Sequence, residues 1–408
     1  MHLRILICLF FVVETMLANK LPEGLYRAVL LLDVEHNLEL PFTFNFKYLH
    51  KKPTITIHNA DENILVDEIV TKGDSFNFKM PVFDTEFKCK IIKNGLEGVW
   101  INHYRKEKNQ IKFSATPLEQ HRFPIPKAPE TPSFEGKWEV TFSPGTTHTY
   151  KAIGLFHHVE QTQIVHGTFL TETGDYRYLE GVQSNNKLYL SCFDGSHAFL
   201  FIAQFDSLHQ LQGKFYSGSH WQENWTGKKN DLFELKKAET ITSILDAQKT
   251  PQFSFKNLDD KNISLQDAQF QNKPVLIQIM GSWCPNCMDE SAMLSPFYNQ
   301  YKDQGLEIIA LAFEKTTDVE IAKKQLKRLQ NRFDINYNIL ITGLSGKTNA
   351  SEIFPMLSDI SAFPTLIYLN KQHQIVKIHT GFSGPATGKA YDELKTNTES
   401  YIQKLINQ

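Results

Sequence analysis

Two rhythms of apolar and polar residues divide this chain near residue 240. Before that point, short runs at 40–46, 54–58, 188–192 and 198–203 alternate or concentrate β-branched and aromatic residues. A period of two sends neighbouring side chains to opposite faces, so these runs predict β-strands. Turn dipeptides punctuate them: Gly73-Asp74, Asn94-Gly95, Gly174-Asp175 and Asp194-Gly195. Such pairs tolerate the positive φ of tight hairpins and point to antiparallel sheet. After residue 249 the rhythm changes. An apolar run at 274–280 reads as a buried strand. Met288, Met293, Leu294, Phe297, Tyr298 and Tyr301 then recur at helical spacing, and a second amphipathic helix is expected around 319–333.

The β-rich part also repeats itself weakly. Gly24-Leu25-Tyr26 corresponds to Gly136-Lys137-Trp138, Phe83-Asp84 to Phe193-Asp194, and residues 96–100 to 211–215. Between the copies, Pro117, Pro124, Pro126, Pro129 and Pro132 predict an extended linker over 117–135. The expected architecture is multidomain. Two related antiparallel β-units, 20–116 and 136–240, would pair as half-barrels into one β-domain, followed by an α/β domain over 249–406. The first residues form a further unit. Met1-His2-Leu3-Arg4 is a short positive region, 5–13 an apolar core, and Ala18 a small residue for cleavage, so 1–18 reads as a signal peptide. Export, with a bacterial periplasm as destination, is the expectation.

The densest chemistry lies at Trp283-Cys284-Pro285-Asn286-Cys287, at the junction of the apolar run and the helix. A CxxC at such a junction is the arrangement of a thiol–disulfide centre. With Cys284 at the N-cap, Pro285 occupies the first helical position, where its missing N–H costs nothing. Unpaired N–H groups and the positive end of the helix dipole favour a thiolate there. Cys284 is then the exposed nucleophile and Cys287, one turn on, the resolving thiol of a redox-active Cys284–Cys287 pair. Glu290, three residues further on the same face, is placed to carry the resolving proton. A zinc site would need a second ligand pair of suitable spacing, and none is present in the sequence. An inert structural disulfide and a solvated Glu290 are the plainer alternatives.

A second fragment, Phe363-Pro364-Thr365, precedes another apolar run. Together with the CxxC it occurs in the order and separation of thioredoxin-like domains. Residues 249–406 resemble a TlpA-type thioredoxin-fold domain of the exported disulfide reductases, a group that includes cytochrome c maturation reductases. The resemblance extends to the lead-in 250–265, to Lys273-Pro274-Val275-Leu276, to 305–311 as the next strand, and to Glu290. It implies a cis Pro364 against the cysteine pair, with Trp283, Pro285, Asn286, Phe363, Pro364 and Thr365 shaping the substrate-docking surface. It also implies a disulfide-containing protein as substrate and an upstream thiol donor, which could be membrane-embedded. No cofactor or metal is implied.

Two departures stand out. The family order Cys-x-Pro-Cys is Cys284-Pro285-Asn286-Cys287 here, and that dipeptide tunes the potential. The buried acid that thioredoxins carry six residues before the first cysteine is Gln278. A DsbA-like oxidase or an isomerase therefore stands as the alternative to a reductase. A binding β-protein with a scaffold tail is the other, against which the intact CxxC, tryptophan and glutamate speak. A thiol peroxidase would want a Thr-x-x-Cys context, absent around Cys284.

Composition adds bounds rather than chemistry. A net charge of −2 gives no reason to expect nucleic acid or an anionic membrane as partner. Beyond the signal four cysteines remain. Cys89 and Cys192 read as isolated buried thiols, with a mutual bridge as the sharper possibility. Adjacent His157 and His158 point to opposite faces of a strand, which disfavours a metal there. The β-region is expected to position the redox domain, recognise a client or pair two copies.

Overall fold

The computed structural model describes residues 20–118, 121–126, 132–160 and 162–408, so the signal segment lies outside the described residues. The first β-unit is one nine-stranded antiparallel sheet. Its first strand, Gly24–Asp33, pairs on one side with Leu38–Leu49 and on the other with Gln110–Pro117. Successive hairpins lead outward from both, ending at the edge strands Glu62–Val66 and Ile69–Lys72. Phe42, Phe44, Phe46, Phe76, Phe78, Phe87 and Phe113 fill its inner face.

The second unit closes on itself. Tyr150–His158 pairs with both Gly136–Phe142 and Ile164–Thr171, completing a ring of eight antiparallel strands. Alternate residues such as Trp138, Val140 and Phe142 point inward and pack with Phe169, Phe201, Phe215 and Trp225, so the barrel is filled rather than hollow. The expectation of an antiparallel β-region ahead of a thioredoxin-like domain holds. In detail the pairing differs from two half-barrels, because one unit is an open sheet and the other a complete barrel.

The two units nevertheless share a wall. In barrel strands Lys187–Phe193 and Ala198–Phe205, Leu188, Leu190, Cys192, Phe199 and Phe201 face the barrel interior. The intervening Phe193, Ala198 and Leu200 face outward into the core of the first sheet. Phe193 stacks on Phe42 at 4.5 Å between centroids and meets Trp100 edge-on at 5.4 Å. A strand buried on both faces loses the apolar–polar alternation, which is why these runs read as nearly continuous apolar stretches. Cys89 and Cys192 belong to different cores and are unbridged.

The duplication has a structural counterpart. Tyr26 Oη donates to Pro22 O at 2.7 Å, and Trp138 Nε1 donates to Phe134 O at 2.8 Å. Each repeat thus anchors its first strand by the same four-residue reach of an aromatic with a polar tip.

The proline-rich connection is more than a spacer. Arg122 is fully buried between the units. Its Nη2 donates to His58 O at 2.5 Å and to Thr43 Oγ1 at 3.1 Å, and lies 3.3 Å from Glu180 of the barrel. Glu180 also bonds His121 at 2.9 Å and the Ala60 N–H at 2.7 Å.

The C-terminal domain holds a five-stranded sheet in the order Asn338–Leu344, Glu307–Glu314, Val275–Met280, Thr365–Leu369, Ile375–Thr380. The first three strands are parallel and the last two antiparallel. Four helices accompany it: α1 Pro285–Tyr301, α2 Val319–Arg332, α3 Lys347–Ile353 and α4 Lys389–Asn407. The central strand is buried along its whole length because apolar clusters cover both faces of the sheet. Asp318 starts α2 by accepting the N–H groups of Glu320 and Ile321. The lead-in forms the expected short hairpin, Ser254–Lys256 with Asn262–Ser264.

Replacing Arg122 with alanine leaves buried Glu180 without its guanidinium partner. The expected cost is about 3–5 kcal/mol, read as a lowered denaturant midpoint for the β-region. An unchanged midpoint would show that the linker carries no structural load.

Candidate functional site

The strand Val275–Met280 delivers the chain to the site, and Gly281-Ser282-Trp283 turns it into α1. Cys284 is the N-cap of that helix and Pro285 its first residue. The Cys287 N–H donates to Cys284 Sγ at 3.3 Å, so a helix-start amide points at the outer sulfur. Cys284 Sγ in turn donates to Phe363 O at 3.5 Å. The Phe363–Pro364 bond is cis, and Thr365 opens the neighbouring strand opposite Ile279. The structure thus brings Cys284, Cys287, Phe363, Pro364 and Thr365 together from segments some eighty residues apart.

Trp283 is fixed from three sides. Its Nε1 donates to Phe313 O at 2.8 Å, its ring meets Phe363 at 5.6 Å, and Lys315 Nζ lies 4.0 Å above its face. Beneath the turn, buried Glu314 accepts from Ser282 N at 2.8 Å and Ser282 Oγ at 2.6 Å.

Glu290 is fully buried on α1. Gln278 Nε2 donates to its Oε2 at 3.0 Å and to Ser291 Oγ at 3.1 Å, while Tyr337 Oη donates to Gln278 Oε1 at 3.3 Å. Burial, partly offset by the Gln278 hydrogen bond, pushes the Glu290 carboxyl up to about 8. Burial likewise raises the Cys287 thiol well above its ordinary range, with Cys284 and Glu290 adding to the effect. A carboxyl that is protonated at neutral pH thus bears on the inner thiol.

Two expectations need correction. Cys284 is 6% exposed rather than open, because the β-region rises around it. Asn286, expected on the docking surface, borders the cleft but is tied to the barrel. With its amide oriented to satisfy both ends, it donates to Asp175 Oδ1 at 3.1 Å and accepts from Asp175 N at 3.0 Å. The barrel comes so close that a Cβ on Gly174 would lie 2.1 Å from the Asn286 amide.

One cluster around α1 escaped the sequence altogether. Arg177 of the barrel donates to Pro285 O at 3.3 Å and pairs with Asp289 of α1, with Glu62 of the first sheet, and with Asp194 at 3.3 Å. Burial, opposed by Arg177 and reinforced by Asp175, Glu62 and Asp194, pushes the Asp289 carboxyl up to about 7. Asp175 is pushed up to about 6, again chiefly by burial. Nothing in the local sequence marks Arg177, since Glu62 and Asp289 lie more than a hundred residues away on either side.

A buried strand leading into an N-capping CxxC, with Phe363-Pro364-Thr365 set against the cysteines, defines a thiol–disulfide oxidoreductase domain of thioredoxin fold. Comparison with known proteins agrees: residues 247–367 match the AhpC/TSA family. The thioredoxin-like protein YneN of Bacillus subtilis (strain 168) is 29% identical over 140 residues, which cover 34% of this chain and 73% of that protein. The thiol-disulfide oxidoreductase ResA of Halalkalibacterium halodurans is 30% identical over 129 residues, covering 32% and 65% respectively. ResA of a Bacillus cereus strain is 27% identical over 158 residues, covering 39% and 77%. The chain therefore spans about two-thirds to three-quarters of the length of these relatives. Among solved structures, a secreted thiol-disulfide isomerase from Corynebacterium glutamicum aligns with a TM-score of 0.32 at 18% identity, over 41% of this chain and 93% of that one. The TlpA-type resemblance thus holds for the C-terminal domain.

The raised carboxyls set a pH dependence. Glu290, Asp289 and Asp175 all titrate higher folded than unfolded, so the stability they confer is complete below about pH 4. It is lost as pH rises through their folded values of about 8, 7 and 6 respectively. In melting curves from pH 6 to 9, Glu290→Gln should lose less stability on the alkaline side than the wild type. Parallel curves would refute the raised carboxyl.

Proposed function

We propose that this chain works outside the cytoplasm as a reductase of substrate disulfides, using Cys284 and Cys287 as its dithiol. The single observation that carries the reading is Cys284 at the N-cap of α1, its sulfur receiving the Cys287 N–H. In the proposed reaction, Cys284 thiolate attacks one sulfur of the substrate. The substrate S–S bond breaks, a Cys284–substrate disulfide forms, and the first product leaves as a thiolate. Cys287 then attacks Cys284 Sγ, forming the Cys284–Cys287 disulfide and releasing the second thiolate. Two electrons pass from the dithiol to the substrate, and the two protons lost by the cysteines end on the product thiols. Glu290 relays the proton of Cys287, with Gln278 holding its carboxyl in place. An upstream thiol donor restores the dithiol.

The reductase direction is the one that the TlpA-type resemblance of residues 249–406 implies. The apolar stretch at 5–13 supports export. Among the described residues no helix is long and apolar enough to cross a membrane.

Cys284→Ser should abolish turnover, and Cys287→Ser should accumulate a mixed disulfide visible by mass spectrometry. Glu290→Gln should slow resolution by about a hundredfold. The reduction potential should lie near about −270 mV, the value of thioredoxin; one near about −120 mV would reverse the proposed direction.

A further inference from the structure

The main chain around the thiols is already covered from within the molecule. Ser196 Oγ of the barrel donates to Trp283 O at 3.2 Å, Arg177 donates to Pro285 O, and Asp175 holds Asn286. On the far side Gly381, at φ +81°, lies so close to the barrel that a Cβ would sit 2.8 Å from the Thr173 carbonyl carbon. The surface on which a folded protein would seat its disulfide is thus partly covered by the chain itself, and Trp283, Cys284, Pro285, Asn286 and Phe363 are reached only through a cleft.

What stays open is a cleft of about 1060 Å³ with Cys284 in its floor. Its walls come from the turn at 102–105 of the first sheet, from barrel segments at 149–151, 171–176 and 196–199, and from Lys315. The size is that of a pocket for a small molecule. Four cations line it, Arg105, Lys151, Lys236 and Lys315, against the two carboxylates Glu172 and Asp175, in a chain whose net charge is −2. Lys151 is engaged by Glu139 at 2.9 Å, and Lys236 lies 3.9 Å from Glu172. Arg105, half-buried, and Lys315, resting on the Trp283 ring, form no ion pair among the described residues. Arg105 and Cys284 both bear on Lys315 electrostatically, as does the buried Glu314 beside it. Two unpaired cations beside a nucleophilic sulfur are arranged for an anion that arrives with the disulfide.

We propose that the cleft receives a small disulfide bearing carboxylates, which Arg105 and Lys315 hold while Cys284 attacks its S–S bond. This rests on the reading of Cys284 and Cys287 as a reducing dithiol, and it replaces the protein disulfide implied by the family resemblance. The bonds made and broken are those of the exchange above; only the carrier of the disulfide is specified further.

The test uses the full chain, pre-reduced, in single-turnover reactions quenched by a thiol-alkylating mass tag. Glutathione disulfide supplies the anionic probe, cystamine the cationic one and insulin the protein disulfide. Each rate is divided by that of the same disulfide with free dithiothreitol, which removes differences in intrinsic reactivity. Glutathione disulfide should exceed cystamine by about tenfold or more at low salt, with insulin slowest, and the margin should shrink as salt rises. Arg105→Gln with Lys315→Gln should bring the ratio towards one, and Arg105→Glu should move it in favour of cystamine. Equal or faster cystamine, faster insulin, or a ratio unmoved by these variants overturns the proposal while leaving the reductase reading intact. If none of the three disulfides oxidises the dithiol, both fall.

Discussion

The guanidinium of Arg177 ties the first sheet, the barrel and the thioredoxin-like domain to one another. It belongs to the barrel, pairs with Glu62 of the first sheet, and reaches α1 through Asp289 and Pro285 O. A buried cation must be compensated, and here the compensation comes from three bodies at once. Their mutual placement is therefore tied to one charge balance, and that balance sits one turn from the CxxC. Burial, reinforced by Asp175, Glu62 and Asp194, outweighs the pull of Arg177, which is why Asp289 holds its proton more tightly than an exposed aspartate. The orientation of the β-region over the thiols rests on this electrostatic knot together with the connecting segment, where Thr242 and Glu239 bond Thr380 and His379.

What the sequence disclosed and what it withheld divide along physical lines. Cys284 as N-cap, Pro285 at the first helical position and Glu290 on the inner face were legible because helix geometry fixes them within seven residues. The strands of the barrel were legible where one face is wet. The runs at 188–192 and 198–203 marked strands, yet they gave no hint that Phe193 and Leu200 serve a second core, because burial on both faces erases the alternation. Closure of the barrel was equally hidden, since it depends on Tyr150–His158 finding two partners. The duplicated Gly-x-aromatic motif was readable, while the divergence of the copies into an open sheet and a closed barrel was not.

The site shows the same division. Its redox half is local, so the motif named it. The half that governs access is assembled from residues 102–105, 171–177 and 194–199, whose approach to α1 is a matter of tertiary packing alone. Even Gln278, noted as standing where thioredoxins carry an acid, gained its meaning from three dimensions. It is an amide that can donate to Glu290 and accept from Tyr337, linking the carboxyl to its surroundings without bringing a second charge to the inner thiol.

The shared wall of the β-region also orders events in time. The barrel contains its own core, but the first sheet borrows Phe193, Ala198 and Leu200 from strands that follow it in the chain. During synthesis from the N-terminus the sheet emerges first and must wait, its phenylalanine-lined face uncovered, until residues 187–205 have been made. The barrel acts as a template laid down second, and the segment carrying Arg122 is the clasp that closes when it arrives. Until that partner is made, a first unit unable to complete its core alone lacks the apolar cover it has in the finished fold.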